Sequence, residues 1–564
     1  MANVKVVAPT NDPTEQSEAL AGSISDAGNK GLDHYLRRLP RWRHRVRQSL
    51  LPVVRWETPH LARIQQSCRT DFLDSYFAMT ANLGTHTFFM TALPICFWCG
   101  YTGVGRALVH MLALGVYWSG FLKDMLCLPR PLSPPLTRIT MSGSAALEYG
   151  FPSTHSTNAV SVAAYFLFRL HASPDDLAPA HRSLFLFMGY FYATSIILGR
   201  MYCGMHGFFD VVVGSVLGLI LAICQLAYGE VFDEWVSGGS WLRPLLLVGA
   251  ILLAVRFHPE PADNCPCYDD SVAFAGVIAG VEVAHWHYAQ TSYPDPTQPP
   301  STVYYSLEQL GWTKTVIRVA GGIVVIFVWR AAMKPTLLRC LPPVFRFVET
   351  LGLTLPRRYF TRASKYKRVP PLRKDDNVIP SAKEIPEMLN SLRHPRKRGI
   401  SIGPQSEADA REFIAYREKR RRDSRSSADG MPMSPRPLRA ERVEGGSSAS
   451  GYFSPPTPTA EEEPFPVLET PPVKPVASLR PGNFPAQPLT PPASDCGHAH
   501  DLNGTEEEEE KLSDQAMFLA LEKPRVRYDV EVVTKLVVYA GIAWLAVEGN
   551  PVLFQLLGLG MVRS

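Results

Sequence analysis

Three short segments of this 564-residue chain combine cations, histidines and a hydroxyl group in positions beside apolar runs. They are Lys123 to Arg130-Pro131, Pro152-Ser153-Thr154-His155, and Arg200 to His206 and Asp210. Arginine can bind two phosphate oxygens at once, and lysine supplies a compact positive charge. One histidine can attack phosphorus while a second protonates the leaving oxygen. Together the segments predict a site that binds a phosphate and cleaves its ester.

His206 and Asp210 are four residues apart at the start of the apolar run 209–229. On a helix this spacing puts both side chains on one face. Asp210 would then accept a hydrogen bond from one imidazole nitrogen and leave the other nitrogen free to attack phosphorus. The alternative is a polar pair at a helix start, where an aspartate also interacts favourably with the helix dipole.

The segment Pro152-Ser153-Thr154-His155 precedes the apolar run 156–170. Ser153 is a suitable helix N-cap, and the amides that follow it would point at an anion in front of the helix. His155 would stand beside the same anion and, as an imidazolium, could protonate a departing alkoxide. The alternative is an ordinary cap followed by a surface histidine.

Lys123, Arg130 and Arg200 each lie close to the end of an apolar run. Taken singly, each is explained as the positive flank of a membrane helix. If the runs 156–170 and 184–199 form a hairpin, however, all the polar clusters fall at the same membrane face. Because cations at membrane depth are costly, convergence of three of them with two histidines favours a phosphate-binding site.

Long apolar runs recur from about residue 76 to 334 and again near the end of the chain. A membrane-spanning helix needs about 20 apolar residues, and several runs reach that length. The pattern predicts an all-α fold, a polytopic bundle of membrane helices, although the shorter runs could be buried core helices. The runs are 76–100, 103–122, 156–170, 184–199, 209–229, 242–256, 271–286, 316–333 and one that starts near Val532.

Composition also predicts how the chain is divided. The N-terminal stretch Arg37–Arg47 is basic, and it is either a contact with anionic lipid or the positive flank of the first span. Proline, serine, arginine and glutamate dominate the region 370–525, which cannot bury enough apolar surface to fold alone. The predicted segments are a polar and basic N-terminal segment with an amphipathic helix (1–75), a core of membrane helices (76–230), additional membrane helices (231–334), a basic interfacial segment (335–369), a long disordered C-terminal region (370–525) and a C-terminal apolar segment (526–564).

The remaining composition argues against several kinds of protein. The ten cysteines are scattered, no Cys/His cluster has zinc spacing, and Cys265 and Cys267 are too close for an ordinary disulfide with each other. The net charge is +5, and basic runs beside so many spans favour a solvated or lipid-facing role over nucleic-acid binding. We therefore expect no zinc site of the Cys/His kind and no nucleic acid, and the oligomeric state is open.

The motifs Lys-x6-Arg-Pro, Pro-Ser-x-His and Arg-x5-His-x3-Asp occur in that order. In these motifs the chain resembles the type 2 phosphatidic acid phosphatase superfamily, which also includes the vanadium haloperoxidases, over about residues 76–230. The resemblance implies that His206 forms a phosphohistidine, that Asp210 orients it, and that His155 protonates the leaving group and later activates water. It also implies that no metal ion or cofactor is needed, and that the phosphate is held by Lys123, Arg130, Ser153, Thr154 and Arg200.

A narrower resemblance is to the sphingosine-1-phosphate and long-chain-base phosphate phosphatases. It rests on Thr154, where broader lipid phosphatases usually have glycine, on the spans after residue 230, and on Cys267-Tyr268-Asp269-Asp270-Ser271. Gly199 departs from the superfamily, which often has serine before this arginine. The departure removes one possible hydrogen bond to phosphate but leaves Arg200.

These resemblances imply a multi-pass lipid phosphomonoesterase of the endoplasmic reticulum membrane that acts on sphingoid long-chain-base 1-phosphates. The basic N-terminus would place the site face in the cytosol, whereas the family implies the lumenal side. Other hypotheses stay open: a broad lipid phosphate phosphatase, a polyprenyl pyrophosphate phosphatase, a phosphotransferase, an inactive lipid-binding relative or a signalling scaffold.

Overall fold

The computed structural model describes residues 27–80, 86–133, 135–139, 147–172, 178–353, 357–370 and 526–561, together with the isolated position 414. Apart from positions 370 and 414, the region predicted to be disordered at 370–525 lies outside the described residues. So does most of the polar stretch at the N-terminus, residues 1–26.

The described part of the chain is almost wholly helical, which confirms the predicted all-α class. Its only regular strands among these residues are β1 (Phe360–Thr361) and β2 (Arg527–Tyr528), which pair in parallel. The helices are α1 (Leu32–Arg38), α2 (Arg41–Cys68), α3 (Asp71–Thr80), α4 (His86–Trp98), α5 (Thr102–Leu126), α6 (Thr154–Ala172), α7 (Pro179–Tyr202), α8 (Phe208–Ser237), α9 (Leu242–Phe257), α10 (Cys267–Ala289), α11 (Leu307–Thr350), α12 (Val530–Trp544) and α13 (Asn550–Leu556).

Four helical stretches of the described chain have the length and apolar composition to cross a membrane. They are α7, α8, α11 and the stretch Val530–Leu556 that joins α12 to α13. The chain is therefore a multi-pass membrane protein, as predicted. Helix α11 continues through the boundary that the sequence suggested at residue 334, since it extends to Thr350.

The predicted run 103–122 forms α5, which lies inside the bundle. Of its 25 residues, 18 are buried, and they include Arg106 and Lys123. Arg106 pairs with Asp233 at 2.7 Å and with Glu282 at 3.2 Å, which ties α5 to α8 and α10. Lys123 lies 17 residues further along α5, roughly 25 Å away at the rise of an α-helix. The two ends of this helix therefore hold separate buried charge clusters.

Helices α6 and α8 approach each other closely because glycines on α8 face the backbone of α6. A Cβ atom added to Gly214 would lie 2.6 Å from the carbonyl oxygen of Ser153. At Gly218 it would lie 2.2 Å from the carbonyl oxygen of Thr157. Backbone atoms cannot rotate away as a side chain can, so this close contact requires glycine. It positions the first turn of α6 against the first turn of α8, where His155 and Asp210 are found.

The N-terminal helix α2 lies across the ends of the helices that carry the three motifs. The Arg43 side chain donates to the carbonyl oxygen of Met125 at 2.7 Å, and Arg47 donates to that of Cys127 at 3.1 Å. Both arginines are buried. Of the two expectations for the basic stretch, contact with anionic lipid is wrong for these two arginines, because they are buried and satisfy free carbonyl groups at the C-terminal end of α5.

Cys265 and Cys267 form a disulfide, with their Cα atoms 5.5 Å apart. The expectation that they are too close in sequence to bond to each other is therefore wrong. They lie just before and at the first residue of α10, where the chain changes direction and brings the two side chains together. Asp124 lies beside this pair, within 4.8 Å of the cysteine sulfurs.

We predict that Gly218→Ala lowers the stability of the bundle. Its new methyl group meets the Thr157 carbonyl, and overpacking of this kind costs about 1–3 kcal/mol. The midpoint of thermal unfolding of the purified protein in detergent should fall by several degrees. Gly249→Ala in α9 is the matched control, since no atom lies within 4 Å of its added Cβ. An unchanged midpoint for Gly218→Ala would contradict the close packing of α6 on α8.

Candidate active site

A cavity of about 120 Å³ opens where α5, α6, α7 and α10 meet, beside the turn that leads into α8. Most of the residues predicted from the three motifs line it, although they are far apart in the sequence. Two carboxylates that no motif contains, Glu148 and Asp270, also line it. The predicted residues that form its wall are Lys123, Arg130, Thr154, His155, Arg200 and His206.

His206 lies in the turn between α7 and α8, and its ring is held at the start of α8. Asp210 accepts a hydrogen bond from the Gly207 amide at 3.0 Å, which fixes the carboxylate at the end of the helix. The distance from His206 Nδ1 to Asp210 Oδ2 is 3.7 Å, longer than a hydrogen bond. Both side chains are 1% exposed. A small rotation of the imidazole would close this distance, and catalytic hydrogen bonds often tighten only when substrate binds.

The other nitrogen of His206 faces positive charge. Arg130 Nη1 lies 3.3 Å and Arg200 Nη2 3.5 Å from His206 Nε2. A guanidinium group can only donate hydrogen bonds, so Nε2 must be the unprotonated nitrogen that accepts them. The proton of the neutral ring is then on Nδ1, the nitrogen nearest Asp210. This tautomer leaves the Nε2 lone pair directed at the cations, where a phosphate would bind.

The charge state of His206 suits a nucleophile. Burial lowers the pKa of its imidazole well below the usual range, and Arg130, Arg200 and Lys123 lower it further. Because both causes disfavour the imidazolium, the ring is neutral near pH 7 and keeps its lone pair. Asp210 alone would be expected to favour the protonated ring, but the surrounding cations oppose that effect.

Ser153 has the predicted place at the helix start but does not line the cavity. Its Oγ accepts from the Ser156 amide at 3.3 Å and from the Ser156 hydroxyl at 2.9 Å, which is the geometry of an N-cap. Its own amide donates to the carbonyl oxygen of Asp210 at 3.0 Å, and the side chain is fully buried. Ser153 therefore joins α6 to α8, while Thr154 and His155 present their side chains to the cavity.

Arg130 is held rigidly in the cavity wall. It donates to the carbonyl oxygen of Met205 at 2.8 Å and to that of Glu148 at 3.2 Å. Its Nη2 also pairs with the Glu148 carboxylate at 3.0 Å, and Lys123 Nζ lies 3.7 Å from the same oxygen. Glu148 thus occupies the space between two of the predicted phosphate-binding cations. Sequence analysis missed it, and the only signal was an acidic residue in the short loop before Pro152.

Helix α2 supplies a second residue that sequence analysis missed. Glu57 accepts a hydrogen bond from the Phe209 amide at 2.9 Å, in the first turn of α8. That bond satisfies one of the free amides at the helix start and ties the turn that carries His206 to the N-terminal segment. Glu57 is 152 residues away in the sequence, so no local pattern could have shown the contact.

Comparison with known proteins agrees with this geometry. A family model described as the PAP2 superfamily matches residues 104–231, which contain all three motifs. A dihydrosphingosine 1-phosphate phosphatase of Schizosaccharomyces pombe is 42% identical over 304 residues, which cover 54% of this chain and 72% of that protein. The chain belongs to the PAP2 superfamily.

Other relatives in the superfamily have similar names. A dihydrosphingosine 1-phosphate phosphatase of Saccharomyces cerevisiae is 33% identical over 56% of this chain and 75% of its own length. The human sphingosine-1-phosphate phosphatase 2 is 29% identical over 51% of this chain and 73% of its own length. No solved structure matches the chain. The similarity extends beyond the 104–231 core, as expected from the helices that follow residue 230.

We predict that Asp210→Asn lowers kcat by roughly a hundred- to ten-thousand-fold, as loss of an orienting carboxylate does in other histidine-based sites. An amide in this place can donate to Nδ1 and favour the tautomer whose Nε2 carries the proton. The KM should change little, because Asp210 lies behind His206 and away from the cavity wall. Steady-state release of inorganic phosphate measures both constants, and a kcat near that of the wild type would contradict the orienting role.

Proposed function

We propose that this protein is a membrane-embedded, metal-independent lipid phosphatase that removes phosphate from sphingoid long-chain-base 1-phosphates. The observation that carries the proposal is the neutral His206, whose Nε2 faces Arg130 and Arg200 in a cavity that Lys123 also lines. The names of the relatives supply the substrate class. Protein cations here take the part that metal ions play in other phosphoryl-transfer enzymes, which is to neutralise charge on the phosphate oxygens.

A second cavity supports a lipid as the substrate. It has a volume of about 60 Å³ and is formed by apolar residues of α4, α5, α10 and α12. Phe274 on α10 lines both cavities, and Val277 and Val281 continue along the same helix into the second one. Between Phe274 and Val281 the helix advances roughly 10 Å. A phosphate among the cations would therefore have an apolar path for its alkyl chain.

The first step of the proposed reaction is attack of His206 Nε2 on phosphorus. As the N–P bond forms, the bond from phosphorus to the lipid oxygen breaks, and its electron pair stays on that oxygen. His155, as an imidazolium in the cavity wall, transfers its proton there, so the lipid leaves as an alcohol. Lys123, Arg130 and Arg200 stabilise the charge that accumulates on the phosphoryl oxygens. Asp210 balances the positive charge that develops on the His206 ring.

The second step releases inorganic phosphate. His155 is now neutral and accepts a proton from a water molecule, whose oxygen attacks phosphorus. The N–P bond breaks, and its electron pair returns to Nε2, which restores neutral His206 with its proton on Nδ1. Phosphate then leaves the cations. Each group ends in the state in which it began, so His155 acts first as acid and then as base.

We place the protein in the endoplasmic reticulum membrane, with the cavity on the lumenal side, on the family resemblance. Helix α2 contacts the ends of α5, α7 and α8 that carry the cavity residues, so the N-terminal segment lies on the same side as the site. Arg43 and Arg47 are used in carbonyl contacts within the fold. They therefore add little to the count of basic residues from which the positive-inside rule assigns the cytosolic side. That rule was the argument for a cytosolic site.

We predict that His206→Ala reduces release of phosphate from dihydrosphingosine 1-phosphate at least a thousandfold, since the loss of a nucleophile has this scale in other covalent enzymes. The assay uses purified protein with EDTA present, so that activity of the wild type also tests metal independence. His171→Ala is the matched control, because this histidine of α6 is exposed and, within the described part of the chain, bonds only to the Leu167 carbonyl. Activity retained in His206→Ala would contradict the mechanism.

The same assay with phosphatidic acid and a polyprenyl pyrophosphate separates the other candidate functions. Preference for the long-chain-base phosphate supports the narrow proposal, and equal use of all three indicates a broad lipid phosphatase. Absence of hydrolysis of every substrate would indicate an inactive lipid-binding relative.

We predict that vanadate inhibits the enzyme because it mimics the five-coordinate phosphorus of the transition state. Arg200→Ala should raise the inhibition constant roughly 10- to 100-fold, the value of a hydrogen bond to a charged group. Arg182→Ala, at the opposite end of α7, should leave that constant unchanged, since Arg182 contacts the Leu170 carbonyl. Equal inhibition of the wild type and Arg200→Ala would exclude Arg200 from the phosphate site.

A further inference from the structure

Glu148 places a negative charge where the phosphate is expected to bind. Its Oε2 lies 3.0 Å from Arg130 Nη2 and 3.7 Å from Lys123 Nζ. The carboxylate faces the cavity that contains His206, and its side chain is 29% exposed, whereas those of Arg130 and Lys123 are 4% and 7% exposed. Glu148 therefore neutralises part of the positive charge of these two buried cations.

A bound phosphate must compete with this carboxylate. The phosphate dianion needs the same donors of Arg130 and Lys123, and two like charges side by side in a partly buried cavity repel strongly. Displaced from the cations, the Glu148 carboxylate would lose its contacts to Arg130 and Lys123 while it still faces the negative substrate. A substrate whose headgroup carries only negative charge therefore leaves the Glu148 carboxylate beside a like charge that repels it.

The proposed substrates carry the charge that would relieve this repulsion. In a sphingoid-base 1-phosphate, an ammonium group is attached to the carbon next to the one that bears the phosphate. When the phosphate lies on the cations, the ammonium must therefore be inside the same cavity. Phosphatidic acid and the prenyl phosphates have no such group.

A second carboxylate lines the cavity on the side from which the alkyl chain would arrive. Asp270 is in the first turn of α10, one turn before Phe274, the residue shared with the apolar cavity. It also interacts electrostatically with Lys123. Glu148 and Asp270 thus contribute two negative charges to a cavity whose cations are explained by the phosphate.

We infer that Glu148, together with Asp270, binds the ammonium group of the substrate and so selects amino-lipid phosphates over lipid phosphates that lack an amine. The inference rests on the proposed function, because it assigns a substrate feature to the same cavity. When substrate binds, the phosphate takes Arg130 and Lys123, and the Glu148 carboxylate exchanges those partners for the ammonium. Each charge then keeps a partner of opposite sign, which is what a buried charge requires.

The test compares two substrates that differ only in the amine. They are dihydrosphingosine 1-phosphate and octadecane-1,3-diol 1-phosphate, which has the same chain and hydroxyl group. The wild type should prefer the amine by at least about tenfold in kcat/KM, the effect of one charge-assisted hydrogen bond. In Glu148→Gln this preference should fall to about threefold or less, with a higher KM for the amine substrate and a lower KM for the analogue.

Two further variants complete the design. Asp270→Asn should lower the preference in the same direction. Glu230→Gln is the matched control, because Glu230 is 86% exposed, pairs only at 3.6 Å with Arg169 on the surface among the described residues, and should leave the preference unchanged. Inhibition by vanadate checks that each variant keeps a folded site, and if Glu148→Gln fails this check, Asp270→Asn decides the outcome.

Each outcome has a definite meaning. A preference that stays within about twofold of the wild type in both carboxamide variants overturns the inference. An equal gain in kcat/KM for both substrates in Glu148→Gln, together with tighter inhibition by vanadate, also overturns the inference. In that case Glu148 would only compete with phosphate and would not bind the ammonium. If the wild type hydrolyses neither substrate, the proposed function itself fails. If the wild type hydrolyses both through His206 without preferring the amine, the proposed chemistry stands and the inference fails.

Discussion

Burial of three positive charges around one neutral imidazole is the constraint on which the site depends. Lys123, Arg130 and Arg200 are each less than 10% exposed, and two of them face His206 Nε2 directly. Burial and the charge of these cations together lower the pKa of the ring, and the cations make the cavity favourable for an anion. Charges buried in this way need partners. The protein supplies Glu148 as a partner, and we propose that the substrate phosphate replaces it.

The rest of the bundle holds these charges in place. Lys123 is carried by the interior helix α5, Arg200 by the end of α7, and Arg130 by the segment after α5 that is bonded to Met205. Glycines on α8 let that helix lie against α6, and Ser153 bonds the two starts together. Helix α2 covers these ends and adds Glu57 to the first turn of α8. Residues up to about 150 positions apart are thereby fixed around a single cavity.

Much of this could be predicted from the sequence, because the motif residues have distinctive types and spacings. The expected hairpin of the runs 156–170 and 184–199 correctly predicted that Lys123, His155 and His206 lie at one end of the bundle. The Ser153 hydroxyl caps α6, and a capping hydroxyl has the same sequence pattern as an anion-binding one, so the assignment of Ser153 to phosphate stays a prediction. Glu148 and Glu57 were missed because a single carboxylate outside a motif has no local signature. Two features depend on the path of the folded chain, which the separation of residues in the sequence does not show. They are the Cys265–Cys267 bond and the contacts of Arg43 and Arg47.

The central claim is that phosphoryl transfer proceeds through a covalent bond to His206, and the stereochemical course at phosphorus tests it most directly. A long-chain-base phosphorothioate, made chiral by its sulfur and two different oxygen isotopes, would be hydrolysed in water that carries the third isotope. Two successive in-line displacements, first by His206 and then by water, predict retention of configuration in the inorganic thiophosphate. Inversion would mean that water attacks the lipid phosphate directly, and the account of His206 as nucleophile would then be wrong.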